Sequence, residues 1–142
     1  MECRSILIMA AAISIAVSTR SYGAEVQQAR IAGIYSNLGD FLETGDVLGT
    51  EIFIIPTGSS EYVAFYQCWE GESTQPLTFP VKVVGQTISF TVPEDSCGDG
   101  TYKGRISKAG FDGTRTHRLL DGSSKNEPVH LKRGKSYWQG NR

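Results

Sequence analysis

The chain has 142 residues, of which 39% are apolar, 10% aromatic and 20% charged, and its formal net charge is −1 at pH 7. This length accommodates one ordinary domain of globular composition, and the near-neutral charge argues against nucleic acid as a partner. The 16 glycines and the lack of long helix-forming runs predict short strands joined by tight turns.

The first two dozen residues resemble a targeting segment. Arg4 supplies a positive start, and an apolar run follows from Ile6 to Val17. This run is shorter than the roughly 20 residues needed to span a bilayer, so we predict a secretory signal peptide over residues 1–23. Cleavage is expected after Gly23 or nearby, between Ser18 and Ala24. The remaining chain, 24–142, is then one secreted or periplasmic domain with no stable membrane insertion.

Strand-like segments follow the predicted signal peptide. Residues 31–37, 47–57 and 61–71 are rich in β-branched and aromatic residues and are bounded by turn residues. The stretch "EIFII" is apolar on both alternating faces, as is "YVAFY". Their periodicity therefore leaves open which face points inward.

The segment from Leu77 to Glu94 predicts a β-hairpin. Its two-residue loop is Gly85-Gln86, in the glycine-first order that suits a type II′ turn. The resulting register places the apolar residues on one face, in the pairs Val83–Ile88, Val81–Phe90 and Phe79–Val92.

The loop "PEDSCGDG", residues 93–100, contains one of the two cysteines that remain after signal cleavage. In an oxidising compartment Cys68 and Cys97 are expected to form a disulfide. The carboxylates around Cys97 would raise the pKa of a free thiol, which argues against a reactive cysteine.

The same loop does not fit a calcium-binding motif. A loop starting at Asp95 would need a glutamate at its twelfth position, where Ile106 stands. We therefore expect no metal centre and no cofactor. A weak surface cation site at Asp95 and Asp99 stays open as an alternative.

Three further strand-like segments, 100–107, 111–120 and 129–133, complete the chain, with a last loop over 121–128. The sequence thus predicts an all-β fold, an antiparallel up-and-down barrel of seven or eight strands. A two-sheet β-sandwich is the alternative.

Two short motifs resemble known barrels. Gly33-Ile34-Tyr35 resembles the Gly-x-Trp opening of lipocalin-like (calycin) barrels, with tyrosine in place of tryptophan. That resemblance implies that Arg133, on the last strand, packs over Tyr35. The tail "SYWQG" and the cysteine pair also resemble small periplasmic lysozyme-inhibitor barrels.

Charge is divided unevenly along the chain. Residues 25–100 contain eleven acidic and two basic side chains, whereas residues 101–142 contain ten basic and three acidic ones. Two interpretations remain open. The charges pair where the last strands of a barrel meet the first, or they form a docking surface for a charged partner.

No catalytic constellation stands out in the sequence. His117 and His130 lack metal-pair spacing, and no G-x-S-x-G motif occurs. Glu70 and Glu72 beside Trp69 fit a solvated loop better than a glycosidase pair. We therefore expect no enzymatic activity and no catalytic residues.

Binding remains as the expected function. The leading hypothesis is an exported carrier for a small apolar ligand, although core packing is the default interpretation of any single inward aromatic. The ligand-binding candidates are Tyr35, Phe79, Phe90 and Tyr102. The alternative is a protein-binding module, such as an inhibitor of an exported enzyme, with Trp69 and Trp138 as exposed anchors. Core packing at the strand ends is the favoured interpretation of these two tryptophans.

Overall fold

The computed structural model describes residues 30–58 and 60–140, so the predicted signal peptide and its cleavage site lie outside the described residues. Nine strands and one short helix occur in this part of the chain. The strands are β1 (Gly33–Ser36), β2 (Gly39–Phe41), β3 (Asp46–Pro56), β4 (Tyr62–Ser73), β5 (Leu77–Val84), β6 (Thr87–Val92), β7 (Gly100–Ile106), β8 (Gly110–Arg118) and β9 (Ser124–Gly134), and the helix is α1 (Tyr137–Gly140).

The strands form one closed antiparallel barrel. From β3 to β9 each strand pairs with the next along the chain, and β1 closes the barrel by pairing with both β9 and β3. Eight strands make up the barrel, and β2 is an additional strand paired with the start of β3. This confirms the predicted up-and-down barrel and excludes the two-sheet sandwich.

Asn37 and Leu38 interrupt the pairing between β1 and β2, a short strand that the sequence did not predict, without changing the register against β3. The Asn37 amide donates to the Thr50 carbonyl at 3.0 Å, and the Thr50 amide donates to the Asn37 side-chain oxygen at 2.7 Å. Gly49 has a φ of 119°, and a Cβ there would meet the Asn37 carbonyl at 2.8 Å. Only glycine fits this close approach of two backbones, where the Asn37 side chain replaces a main-chain acceptor and the ladder resumes as β2.

The barrel interior is apolar and aromatic. Six residues of the β5–β6 hairpin and β7 are buried in it, and Ile52, Ile54, Ala64 and Tyr66 complete the core on β3 and β4. The six are Phe79, Val81, Phe90, Val92, Tyr102 and Ile106. Alternate residues of each strand therefore fill the barrel, as its period of two requires.

The β5–β6 hairpin has the predicted turn, but it pairs over a shorter length than predicted. Gly85 takes a φ of 61°, and the three pairs nearest the turn form, among them Val83–Ile88. Pairing ends there, so the predicted pairs Val81–Phe90 and Phe79–Val92 are not formed. Pro80 has no N–H to donate to β6, which ends the ladder.

The last strand is longer than predicted. β9 begins at Ser124, so residues 124–128 belong to a strand and not to the predicted loop. A tight turn over 119–123 makes this possible, with the Gly122 amide donating to the Leu119 carbonyl at 2.9 Å. Pro128 is tolerated inside β9 because this strand pairs with β1 only from Lys132 onward, which leaves one edge free at Pro128.

Candidate functional site

The barrel interior holds a column of aromatic rings. Phe90 stacks on Phe79 at 5.4 Å and on Tyr102 at 4.8 Å between ring centroids, with interplanar angles of 15° and 11°. Tyr66 contacts both ends of this stack, Phe79 at 5.8 Å and Tyr102 at 6.4 Å. Three of the four predicted ligand-binding residues therefore lie in one contiguous stack.

The fourth predicted ligand-binding residue, Tyr35, lies apart from that stack. Its side chain is 1% exposed, and its hydroxyl donates to the Ile31 carbonyl at 2.6 Å. The Arg133 guanidinium lies 5.4 Å from the Tyr35 ring centroid and donates to its hydroxyl at 3.0 Å. Burial raises the pKa of Tyr35, and the charge of Arg133 opposes that rise. The contact between Arg133 and Tyr35 that the calycin resemblance implied is present.

The loop 93–99 covers one end of the barrel. The disulfide joins Cys68 of β4 to Cys97 of this loop, with 5.8 Å between their Cα atoms. The Tyr66 hydroxyl donates to the Cys97 carbonyl at 3.1 Å, and the Tyr102 hydroxyl donates to the Gly98 carbonyl at 2.7 Å. The predicted disulfide is thus present. In the part of the chain described, no three His, Cys, Asp or Glu side chains are grouped to hold a metal ion.

A polar cluster lies near the same end, on β8 and β9. The Arg115 guanidinium contacts the Glu127 carboxylate at 2.9 Å, and Lys125 contacts it at 2.8 Å. The hydrogen bond from Lys125, together with the charges of Arg115 and Lys125, lowers the pKa of Glu127. His117 lies 3.6 Å from the same carboxylate. The Glu127 carboxylate therefore lies within ion-pair distance of three basic side chains, which is typical of a structural ion-pair network.

The C-terminal segment packs on the outside of the barrel against Trp69. The ring centroids of Trp69 and Trp138 are 4.8 Å apart. Glu51 fixes the segment, because its carboxylate accepts from the Ser136 hydroxyl at 2.6 Å and from the Tyr137 amide at 2.8 Å. Trp69 is only 7% exposed and Trp138 is 53% exposed. Trp69 therefore follows the favoured interpretation of packing at a strand end, where the returning tail covers it, whereas Trp138 is exposed.

An apolar face lies on the outer surface of β1, β3 and β4. Phe53 and Phe65 are cross-strand partners, 44% and 43% exposed, with ring centroids 6.4 Å apart. Ile55 and Val63 form the next outward pair. We call the outward side chains Ile34, Phe53, Ile55, Val63 and Phe65 the outer aromatic face.

The sequence analysis did not single out Phe53 and Phe65, because both faces of their strands are apolar. A usable signal was present in Cys68. Its disulfide requires an inward side chain near the barrel end, so Tyr66 and Ala64 also point inward and Phe65 points outward. Cross-strand pairing then places Phe53 outward as well.

The stretch of chain that contains the outer aromatic face is acidic. Residues 31–81 contain seven acidic side chains and no lysine or arginine. All four ion pairs found in residues 30–58 and 60–140 join side chains of β8 and β9. The interpretation that the acidic half pairs with the basic half across the barrel closure is therefore supported by no ion pair in this part of the chain.

No family model, curated protein or solved structure matches this chain at a significant level. None of the helices among the described residues has the length and hydropathy needed to cross a membrane. The functional argument consequently rests on the surfaces of the barrel itself.

Proposed function

We propose that the protein is an exported, non-enzymatic protein-binding module. Its partner is an exported protein whose surface is basic and partly apolar. The observation that supports this proposal is the exposed Phe53–Phe65 pair, which lies within a stretch of chain that bears only acidic charge. Large exposed apolar patches mark interaction sites, and aromatic side chains dominate the binding energy of interfaces.

Apolar and acidic side chains contribute to binding in different ways. The outer aromatic face supplies the apolar area, with Trp138 at its border. Glu61 and Asp40 are exposed carboxylates on the same acidic stretch of the chain. Their charge raises the rate of encounter with a basic partner and weakens as salt is added. The Cys68–Cys97 disulfide supports an oxidising, extracytoplasmic location for this encounter.

The test measures binding of the mature protein to a panel of purified basic exported proteins at two salt concentrations. Lysozyme belongs to this panel, because the tail and cysteine pair resemble lysozyme-inhibitor barrels. We expect one member to bind with a salt-sensitive association rate. Phe53→Ser and Phe65→Ser should each weaken that binding about tenfold or more, as expected for interface hot spots.

A matched control separates docking from general loss of surface hydrophobicity. Val84 is 67% exposed at the β5–β6 turn, outside the outer aromatic face, so Val84→Ser should leave the affinity unchanged. The proposal fails if no basic protein binds at micromolar concentration. It also fails if Phe53→Ser and Phe65→Ser bind as tightly as Val84→Ser.

Carriage of a small ligand is the second candidate function. One observation favours it, an open cleft on the barrel wall beside Phe79 and Phe90.

A further inference from the structure

The barrel wall is incomplete between β5 and β6. The last pair that forms is Lys82–Ser89. If the same register continued, the next two pairs of the same kind would be Pro80–Thr91 and Thr78–Pro93. A two-residue hairpin makes alternate pairs hydrogen-bonded, and both of these positions would be such pairs. Pro80 and Pro93 have no N–H to donate there, so the ladder cannot be completed from either strand.

A cleft lies along this unpaired stretch, which we call the β5–β6 seam. Its volume is about 530 Å³, within the range typical of small-molecule sites. Phe79 and Phe90 of the aromatic stack also border the cleft, but their side chains point into the barrel and are only 9% and 4% exposed. The remaining lining residues are Pro80, Val81, Lys82, Ser89, Thr91 and Thr101.

The polar lining of the seam has one sign of charge. Lys82 is exposed, and no carboxylate lines the cleft. Two adjoining hollows share Lys82 with the seam, and one of them adds Lys103 whereas the other adds Glu61. Neither lysine takes part in an ion pair within residues 30–58 and 60–140. Two unpaired ammonium groups beside hydroxyl groups favour an anion over a cation or a neutral ligand.

We propose that the β5–β6 seam binds a small aromatic anion, such as an aryl carboxylate. Its ring lies against Pro80 and the main chain of β5 and β6, and its carboxylate contacts the Lys82 ammonium. This inference rests on ligand carriage, the second candidate function, and is independent of protein docking, since Phe53 and Phe65 are absent from the lining. Pro80 is its structural determinant, because the missing N–H keeps the seam open.

The probes are 2-naphthoate and its neutral counterpart 2-naphthol, titrated into mature protein while amide chemical shifts are recorded. We expect 2-naphthoate to shift the amides of β5 and β6 around the seam and to bind at least fivefold more tightly than 2-naphthol. Lys82→Gln should remove this preference while leaving 2-naphthol binding unchanged. Phe53→Ser should not affect either probe.

A second variant tests the seam itself. Pro80→Val restores an N–H, so we expect the Pro80–Thr91 pair to form, the Thr91 amide to become protected from exchange, and both probes to lose binding. Pro128→Val is the control, a proline replaced in β9 on the far side of the barrel. If both probes bind equally and Lys82→Gln has no effect, the protein still binds a small ligand but the proposal that this ligand is an anion is overturned. If neither probe binds at millimolar concentration, both carriage and this inference fail.

Discussion

Arg133 holds the start of the described chain against the end of the barrel, so its replacement by methionine is a sharp test of this packing. The guanidinium donates to the main-chain carbonyls of Ala32, at 2.6 Å, and of Arg30. It also donates to the Tyr35 hydroxyl at 3.0 Å. Methionine keeps the apolar stem of the side chain and removes all three donors.

The expected loss follows from these contacts. A hydrogen bond from a charged group contributes about 1.5–3 kcal/mol, and the half-buried position of Arg133 favours the lower end. Two carbonyl contacts at about 1.5 kcal/mol each give a loss of about 3 kcal/mol for Arg133→Met. Against a typical stability of about 5–15 kcal/mol, this is a large effect.

Urea unfolding followed by tryptophan fluorescence measures the loss as a lower midpoint with an unchanged slope. Lys132→Met is the matched control on the adjacent, exposed position of β9 and should cost less than about 0.5 kcal/mol. A double-mutant cycle with Tyr35→Phe should show a coupling of about 0.5–1 kcal/mol. A loss for Arg133→Met below about 1 kcal/mol, or equal to that of Lys132→Met, would refute this account.

Three further predictions concern stability. Burial raises the pKa of Tyr66, and the neighbouring Tyr102 raises it further. The contribution of the neutral Tyr66 side chain to the unfolding free energy is therefore complete below about pH 10 and is lost as the pH rises above it. Tyr66→Phe should flatten the decline of the unfolding free energy between about pH 10 and 12. Reduction of the disulfide, which closes a separation of 29 residues, should lower that free energy by about 3–4 kcal/mol, whereas reductant should not affect a variant with both cysteines replaced by alanine. Gly113→Ala should cost about 1–3 kcal/mol in thermal unfolding, because a Cβ would meet the Lys103 carbonyl oxygen at 2.5 Å and the Phe111 ring at 2.7 Å, whereas Gly134→Ala, with open space around it, should cost far less.

Local patterns in the sequence predicted much of the fold. The alternation around Gly85-Gln86 determined the turn and the near register of β5 and β6, because a one-residue slip would turn every apolar side chain to the other face. The prediction that Cys3 is removed with a signal peptide left Cys68 and Cys97 as the expected pair, and the structure contains that disulfide. Periodicity and turn residues also located most strands of the barrel, although β2 and the first half of β9 were missed.

The candidate binding surfaces depended on contacts between distant parts of the chain. Phe53 and Phe65 point outward only because the inward positions of β3 and β4 are taken by residues that fill the barrel. Trp69 is covered because the C-terminal segment returns to Glu51, 85 residues away in sequence.

Sequence by itself determined where strands begin and turn, because local sterics and a period of two act over a few residues. The tertiary structure alone decided which side of an all-apolar strand is buried and where the β5–β6 ladder ends. Those outcomes depend on closure of the barrel, which allows each strand one inner face and makes a missing N–H at Pro80 an opening in the wall.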